Sequence, residues 1–463
     1  MESIRLGQIL TIADAAGKSE GVSAYLVGGS VRRLLAGRRM SDLDVVVDAP
    51  RGASRLAEIL SQKVPYAARP VAVGSFPMVE VRCGDISIQI SEPLRNITMD
   101  ISGLGGPLSD AMKQDVLRRD FTVNTLLCPV GTPAPENIID ALGYGLSDFE
   151  RRILRTPLEP QETIGNDPIR MLRAVRFSNL EGFAIDPALA AAIRAGAPKI
   201  TTTPGERINM ELSKILMGSE PSEGIRALVE HDLLRFTLPE LSDLAQVEQP
   251  TDYHGDDVLS HTLKVLDNTK PELRLRLAAL MHDLGKKSTK TEKEGRVVFH
   301  GHQYTGASEA KRVLQRLRYP AKLVDEVAAM VEMHMVAYRQ EWSDTAVRRF
   351  IRKAGEQLDD LMELYRADIL ARKPPHDDLA EFEDLKKRID AVDAEEIRKI
   401  ASPLSGDEVM EILDLEPGPE VGNAIEAIES AIVDGKLTAD SQAARNFLLK
   451  EFVSKRMEGQ PGE

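Results

Sequence analysis

Asp42 and Asp44, two carboxylates separated by a single residue, open the run from Ser41 to Asp48, and this stretch constrains the chain more than any other. Three valines follow them, and such β-branched residues favour a pleated strand. In a strand, residues two apart share a face, so the pair can converge on shared divalent cations. Asp48 has the same parity but lies roughly 13 Å past Asp44 at about 3.3 Å per residue, too far to join them. Taken alone, Asp-x-Asp reads as a solvated strand edge, and the preceding residues shift that reading. Ala24 to Val27 has the pattern of a short buried strand, broken by Gly28-Gly29 before an amphipathic helix led by Ser30 and Val31. Paired glycines let backbone approach a ligand closely and leave helix N-terminal amides free for phosphate. Strand, Gly-Gly turn, helix and acidic strand together describe a triphosphate and metal site.

At 463 residues the chain exceeds one ordinary core. A hydrophobic fraction of 42% with 29% charged residues describes a globular protein, and few aromatics beside many Leu, Ala, Glu and Arg favour helix. With no apolar run near 18 residues and no signal-peptide pattern at Met1, no membrane partner and a cytoplasmic location are expected. Two cysteines, Cys83 and Cys128, indicate neither a disulfide partner nor a Cys-ligated zinc site. A net charge of −14 excludes a wholly basic nucleic-acid coat. Any RNA contact must be a stripe, for which Arg118-Arg119, Arg151-Arg152 with Arg155, Arg170 with Arg173 and Arg176, and Arg348-Arg349 with Arg352-Lys353 are candidates.

The segment GGSVRRLLAGRRMSDLDVVVD resembles the class II tRNA nucleotidyltransferase and bacterial poly(A) polymerase family, whose pattern is Gly-Gly-x-Val-Arg-Asp followed by Asp-x-Asp. Arg33 stands where that pattern has Asp. The resemblance implies that Asp42 and Asp44 are catalytic and hold Mg²⁺, and that Arg32 with the Gly28 and Gly29 amides cradles phosphate. Val71 to Val73, Met78 to Arg82 and Ile86 to Ile90 read as strands, with Gly74 and Gly84-Asp85 as turns. Leu94 to Lys113 reads as a mobile loop, and Gln89 sits where many relatives carry Asp. RRDFTVNTLL, Arg118 to Leu127, matches the family's Arg-Arg-Asp-Phe-Thr-x-Asn block, in which the basic pair can meet phosphates and Asp120 can orient an arginine; Arg119, Asp120 and Asn124 are therefore nucleotide-binding candidates.

Pro157 to Thr163 reads as a hinge, beyond which the chain is expected to be wholly helical. In NDPIRMLRAVRF, Pro168 falls near a first helical turn, and Asp167 and Arg170, three apart, lie on one face with acceptor and donor edges side by side. Such a pair can present a Watson-Crick-like edge to a base. Outside that context it is a surface ion pair worth a few tenths of a kcal/mol. The resembled family uses a Glu-Asp-x-x-Arg block to select C and A, and here Asn166 replaces the Glu; Arg173 and Arg176 extend the nucleotide-binding set. Glu206, Arg207 and Glu211 read as capping and interhelical ion pairs, and Pro239 to Asp252 as an acidic linker.

Histidines become dense from His254 onward. His261, the His282-Asp283 doublet with Gly285-Lys286 behind it, and the remote Asp368 offer imidazole and carboxylate ligands suited to a divalent transition metal or Mg²⁺ that activates water. HTLKVL, MHDLGKK and ADILA resemble the HD phosphohydrolase superfamily. His302 and His334 can complete a second metal site, with His300 competing for the role of His302, and Lys286 is the candidate phosphate contact. Lys373-Pro374-Pro375 is a breaker, the tail is helical and acidic with a Pro-Gly-Pro turn, and MEGQPGE is expected to be disordered.

The expected fold is α+β: a nucleotidyltransferase head of polymerase-beta-like mixed sheet over 1–150, then a helical neck over 151–240, an HD domain over 241–378 and a helical tail over 379–463. The resemblance implies template-independent addition of C and A to the tRNA 3′ end from CTP and ATP, with an HD domain hydrolysing phosphate esters. Addition of CC or A alone, a poly(A) polymerase, or a phosphohydrolase with a degenerate RNA- or nucleotide-binding head are the alternatives.

Overall fold

The computed structural model describes residues 6–19, 21–40, 42–72, 78–93, 99–247, 257–293, 296–372, 374 and 378–453. Ser41, the Val73-Gly74 turn, the start of the expected loop at Leu94, His254, Lys373, Pro375 and the MEGQPGE terminus lie outside them. The chain forms two compact units, one of residues 1–218 with 223–237, the other of 219–222 with 238–463. The expected neck thus packs in the same unit as the head.

A six-stranded mixed sheet organises the first unit. Its strands are β1 (Ala24–Val27), β2 (Asp42–Val47), β3 (Val71–Ala72), β4 (Met78–Cys83), β5 (Ile86–Ser91) and β6 (Leu127–Pro129), in the order β3-β4-β5-β2-β1-β6. β2 runs parallel to β5 and antiparallel to β1, with Asp44 opposite Gln89. Alternation along β2 sorts its side chains. Leu43, Val45 and Val47 join the core beneath the helices Leu6–Ser19 and Gly52–Lys63, whereas Val46 joins a second cluster with Met112 and Val116 of the helix Asp110–Arg118. Asp42 and Asp44 share the parity of Val46 and stand at the open end of that face.

Two expectations fail here for local reasons. Ser109 caps the helix Asp110–Arg118 by accepting from the Met112 amide at 3.3 Å, so Lys113 is helical and the irregular stretch ends earlier than expected. Residues 160–166 form a short helix with Pro160 in its first turn, a position where its missing N–H costs nothing, so the expected hinge is in part helical.

The second unit is helical, apart from a hairpin of Thr291–Lys293 and Arg296–Val298. Residues 239–246 are helical as well, where an acidic linker was expected. Arg349 and Arg352 of the basic cluster bind Asp434 and Glu429 of the tail at 2.6 Å, which spends much of the cluster's charge inside the unit. Both cysteines are free and buried. Among the described residues no helix is long and apolar enough to cross a membrane.

Candidate functional sites

A cavity of about 570 Å³ opens over the C-terminal end of β1 and the face of β2, within the size range of small-molecule sites. Gly28, at φ +55°, turns the chain from β1 into the helix Gly28–Leu35, a conformation that a side chain strains. A Cβ on Gly29 would come within 3.2 Å of Asp44 Oδ2, so the second glycine is what admits that carboxylate. Ser30 Oγ accepts from the Asp44 amide at 2.8 Å and locks the strand to the turn. Burial pushes the Asp44 carboxyl up, against the pull of Arg119, Arg33 and Arg32. A half-buried carboxylate that resists its own charge, set beside an uncrowded glycine backbone, fits a divalent cation. Asp44 lines the cavity, whereas Asp42 is exposed and stands outside its lining.

Arginines dominate the remaining walls, but most are held by acids. Both carboxylate oxygens of Glu181 grip Arg32, at 3.0 and 3.1 Å, while the guanidinium lies 4.5 Å over Phe177 and bonds Asn124. Arg119 is bound by Asp115, and it donates to the Asn124 carbonyl at 3.1 Å. The arginine that Asp120 orients is Arg173, at 2.7 Å; the same carboxylate accepts from the Asn124 side chain at 2.7 Å. Burial raises the Asp120 carboxyl, but Arg173 and Asn124 outweigh it and hold the group down to about 2. Glu211 receives Arg176 at 2.6 Å, the interhelical pairing expected of it, and Lys214 of its own helix at 3.2 Å.

Asp167 and Arg170 line the cavity but are not side by side on a helix. Asp167 precedes Pro168, and the proline ring disfavours helical backbone in the residue before it, so Asp167 is extended and the helix Ile169–Glu181 begins after it. Arg207 takes both Asp167 oxygens, at 2.8 and 2.9 Å, while Arg170 donates to the carbonyls of Arg118 and Thr163. Sequence reasoning gave Arg207 no place in the site and missed Glu181, Phe177 and Asp115 altogether; Asp115 alone had a local signal, its i, i+4 spacing from Arg119.

The second unit gathers the expected histidines and acids from five helices. His261 lies in Val258–Asp267, His282 ends Leu273–Met281, His302 begins His302–Arg316, His334 ends Ala321–Met333, and Asp368 lies in Leu358–Ala371. His261 Nε2 meets Asp368 Oδ1 at 2.9 Å, and His282 Nε2 meets Asp283 Oδ2 at 3.1 Å. The other Asp283 oxygen lies 3.6 Å from His302 Nε2 and 4.0 Å from His334 Nε2. His261, His282 and Asp283 form one metal-sized group, Asp283, His302 and His334 another, and Asp283 belongs to both.

The imidazoles are aimed by their backbones. Nδ1 of His302 and of His334 lies 2.8 and 2.6 Å from a carbonyl three residues back, which only accepts, so Nδ1 carries the proton and Nε2 its lone pair. His282 Nδ1 faces such a carbonyl at 2.8 Å too, but there burial is outweighed by the Asp283 carboxylate, which pushes the imidazole up. Nε2 of His302 and Nε2 of His334 then face each other at 3.2 Å, two acceptors that repel unless a cation stands between them. Burial pushes the His334 imidazole down to about 3 and lowers His302 also, so both are neutral near pH 7, as metal ligands must be. These donors fit divalent metal. Lys286 Nζ lies 2.7 Å from Asp283 Oδ2, and Arg372, unanticipated although four residues from Asp368, binds that acid. A cavity of about 440 Å³ opens beside them, lined also by His300, which is exposed and outside both groups.

Comparison with known proteins agrees along most of the chain. Residues 24–155 match the "Poly A polymerase head domain", 182–244 the "Probable RNA and SrmB- binding site of polymerase A", and 289–448 the "tRNA nucleotidyltransferase domain 2 putative". An A-adding tRNA nucleotidyltransferase of Deinococcus radiodurans is 32% identical over 95% of this chain and 96% of its own. A CC-adding tRNA nucleotidyltransferase of Thermus thermophilus is 33% identical over 92% and 93%. Among solved structures, the Bacillus stearothermophilus CCA-adding enzyme in complex with CTP aligns at TM-score 0.65 with 24% identity, covering 98% of this chain and all of that one, which shows the same fold. The α+β head and helical remainder are therefore those of a nucleotide-transferring enzyme. The chain belongs to the tRNA nucleotidyltransferase family.

Proposed function

We propose that this enzyme adds C and A to the 3′ end of tRNA from CTP and ATP without a nucleic-acid template. The observation that carries the reading is the Asp44 carboxylate, admitted by Gly29 into a cavity whose far wall presents Asp167 and Arg170. Divalent cations such as Mg²⁺, held by Asp42 and Asp44, would supply the positive charge that in-line phosphoryl transfer requires. The Gly28 and Gly29 turn and Arg119 would receive the triphosphate. Asp120, held ionised, keeps Arg173 and Asn124 in place beneath the nucleoside. Asp167 would accept from the exocyclic amino group that C and A share, while Arg170 donates to the adjoining ring nitrogen, once the base replaces the Arg207 contact. U and G offer a carbonyl where Asp167 needs a donor and would be refused.

The test is product length on tRNA lacking its terminal CCA, incubated with CTP, ATP or both. Growth by CC and then A is expected, and no extension by folded protein would end the reading. A division of labour is the second reading, favoured by the two relatives aligned over more than nine tenths of the chain, one adding A and one CC. Arrest after CC, or a need for CC already in place, would establish it.

We further infer a phosphohydrolase of the HD kind in the second unit, on the facing Nε2 atoms of His302 and His334. His261, His282, Asp283 and Asp368 would hold one divalent metal, and Asp283, His302 and His334 a second; such ions activate water toward a phosphate ester. Lys286 is placed to turn from Asp283 to the ester. Ring opening of a 2′,3′-cyclic phosphate to its monoester, or phosphate release from a monoester, lost on chelation, tests it.

A further inference from the structure

Arg33 is bound to the first residue of β2 in two ways. Its Nη1 donates to the Asp42 carbonyl oxygen at 2.8 Å, and its Nη2 lies 3.7 Å from Asp42 Oδ2. Arg33 thus sets a positive charge beside the first of the two cation ligands. A cation approaching Asp42 meets a carboxylate already facing a fixed positive charge. Asp42 is exposed, with 63% of its side chain open, so water screens the effect without removing it.

We propose that Arg33 is a positioning residue that sets the order of entry to the head: alone, the site holds a divalent cation weakly, and firm binding waits for a nucleoside triphosphate. The triphosphate brings negative charge to the cavity, which offsets the guanidinium and restores the attraction. The hydrogen bond to the Asp42 carbonyl meanwhile holds the start of β2 in register, so the carboxylate is in place when the loaded nucleotide arrives. Arg33 touches neither nucleotide nor reacting atoms in this scheme. The inference rests on Asp42 and Asp44 being cation ligands.

The experiment is a Mn²⁺ titration of the full-length protein followed by electron paramagnetic resonance, with and without saturating CTP and with no tRNA present. A D42N/D44N double variant supplies the binding due to the rest of the chain, and the head's share is taken by difference. Without CTP, Arg33→Gln is expected to tighten Mn²⁺ at the head roughly tenfold, the size of a nearby unit charge in partly screened surroundings. Arg33→Lys, which keeps the charge, is expected to stay close to the parent protein. With CTP the three proteins are expected to converge within about twofold, a convergence that a merely structural role of Arg33 would not produce. Equal affinity of the parent and Arg33→Gln without CTP overturns the inference, as does tightening that persists unchanged with CTP. If the parent and D42N/D44N proteins bind alike even with CTP, the assignment of Asp42 and Asp44 fails instead.

Discussion

In the head, Asp42 and Asp44 stand two residues apart on one strand, one exposed and one half-buried, beside an open cavity walled by arginines. In the helical unit, His261 and His302 lie in two helices, His282-Asp283 and His334 directly follow two others, and all five are buried. The first arrangement suits a cation that enters and leaves with its nucleotide. The second suits ions held at rest, because the His302 and His334 rings, fixed by backbone carbonyls, turn their Nε2 lone pairs toward each other. An exposed carboxylate is economical for turnover, and a sealed ligand set for retention.

The comparison is broken most sharply by paired deletions. Asp44→Ala is expected to lower nucleotide addition by about a thousandfold, corresponding to several kcal/mol of charge stabilisation, while leaving phosphate-ester hydrolysis intact. Primer extension and phosphate release on one preparation check this, and loss of both activities would join sites held here to be separate. His302→Ala with His334→Ala is expected to lower hydrolysis by about a hundredfold and to reduce the metal that co-purifies, measured by mass spectrometry, with addition unchanged.

A smaller effect sharpens the picture of the head. Asp120→Asn is expected to cost about 2 kcal/mol at neutral pH, since a carboxyl lowered from its ordinary value to about 2 is stabilising when ionised. The contribution is fully present above the unfolded value near 4 and is lost as pH falls through about 2. Urea melts of parent and variant should therefore differ at pH 7 and draw together toward pH 2. The smallest effect is a control at a residue that belongs to neither set of ligands. Ser405 caps the helix Gly406–Leu413 in a reciprocal box with Glu408, and Ser405→Ala should cost about 1 kcal/mol in a thermal melt and change neither activity.

Local pattern made much of this legible. The alternation in β2 and β5, the Gly-Gly turn and the order of the histidines each follow from neighbours in sequence, and the α+β fold follows from them. Pairings over long sequence separations were not legible. Arg32 reads as a phosphate ligand until Glu181, 149 residues away, is seen to hold it. Arg207 meets Asp167 across 40 residues. His300 and His302 are equivalent candidates in sequence, and only the helix that starts at His302 and buries its ring separates them. The short helix at 160–166 was hidden by the proline and glycine within it, residues that ordinarily signal a turn.

One carboxylate, Asp283, gives an oxygen to each histidine group. Whatever occupies one group thereby alters the charge that the other feels. Loading of the two should be linked: an ion in one group spends part of the Asp283 charge, so a chelator should empty them in two separated steps, the second ion being the harder to remove. A site of this form has three occupancies, and the half-loaded one is populated over a range of metal concentration.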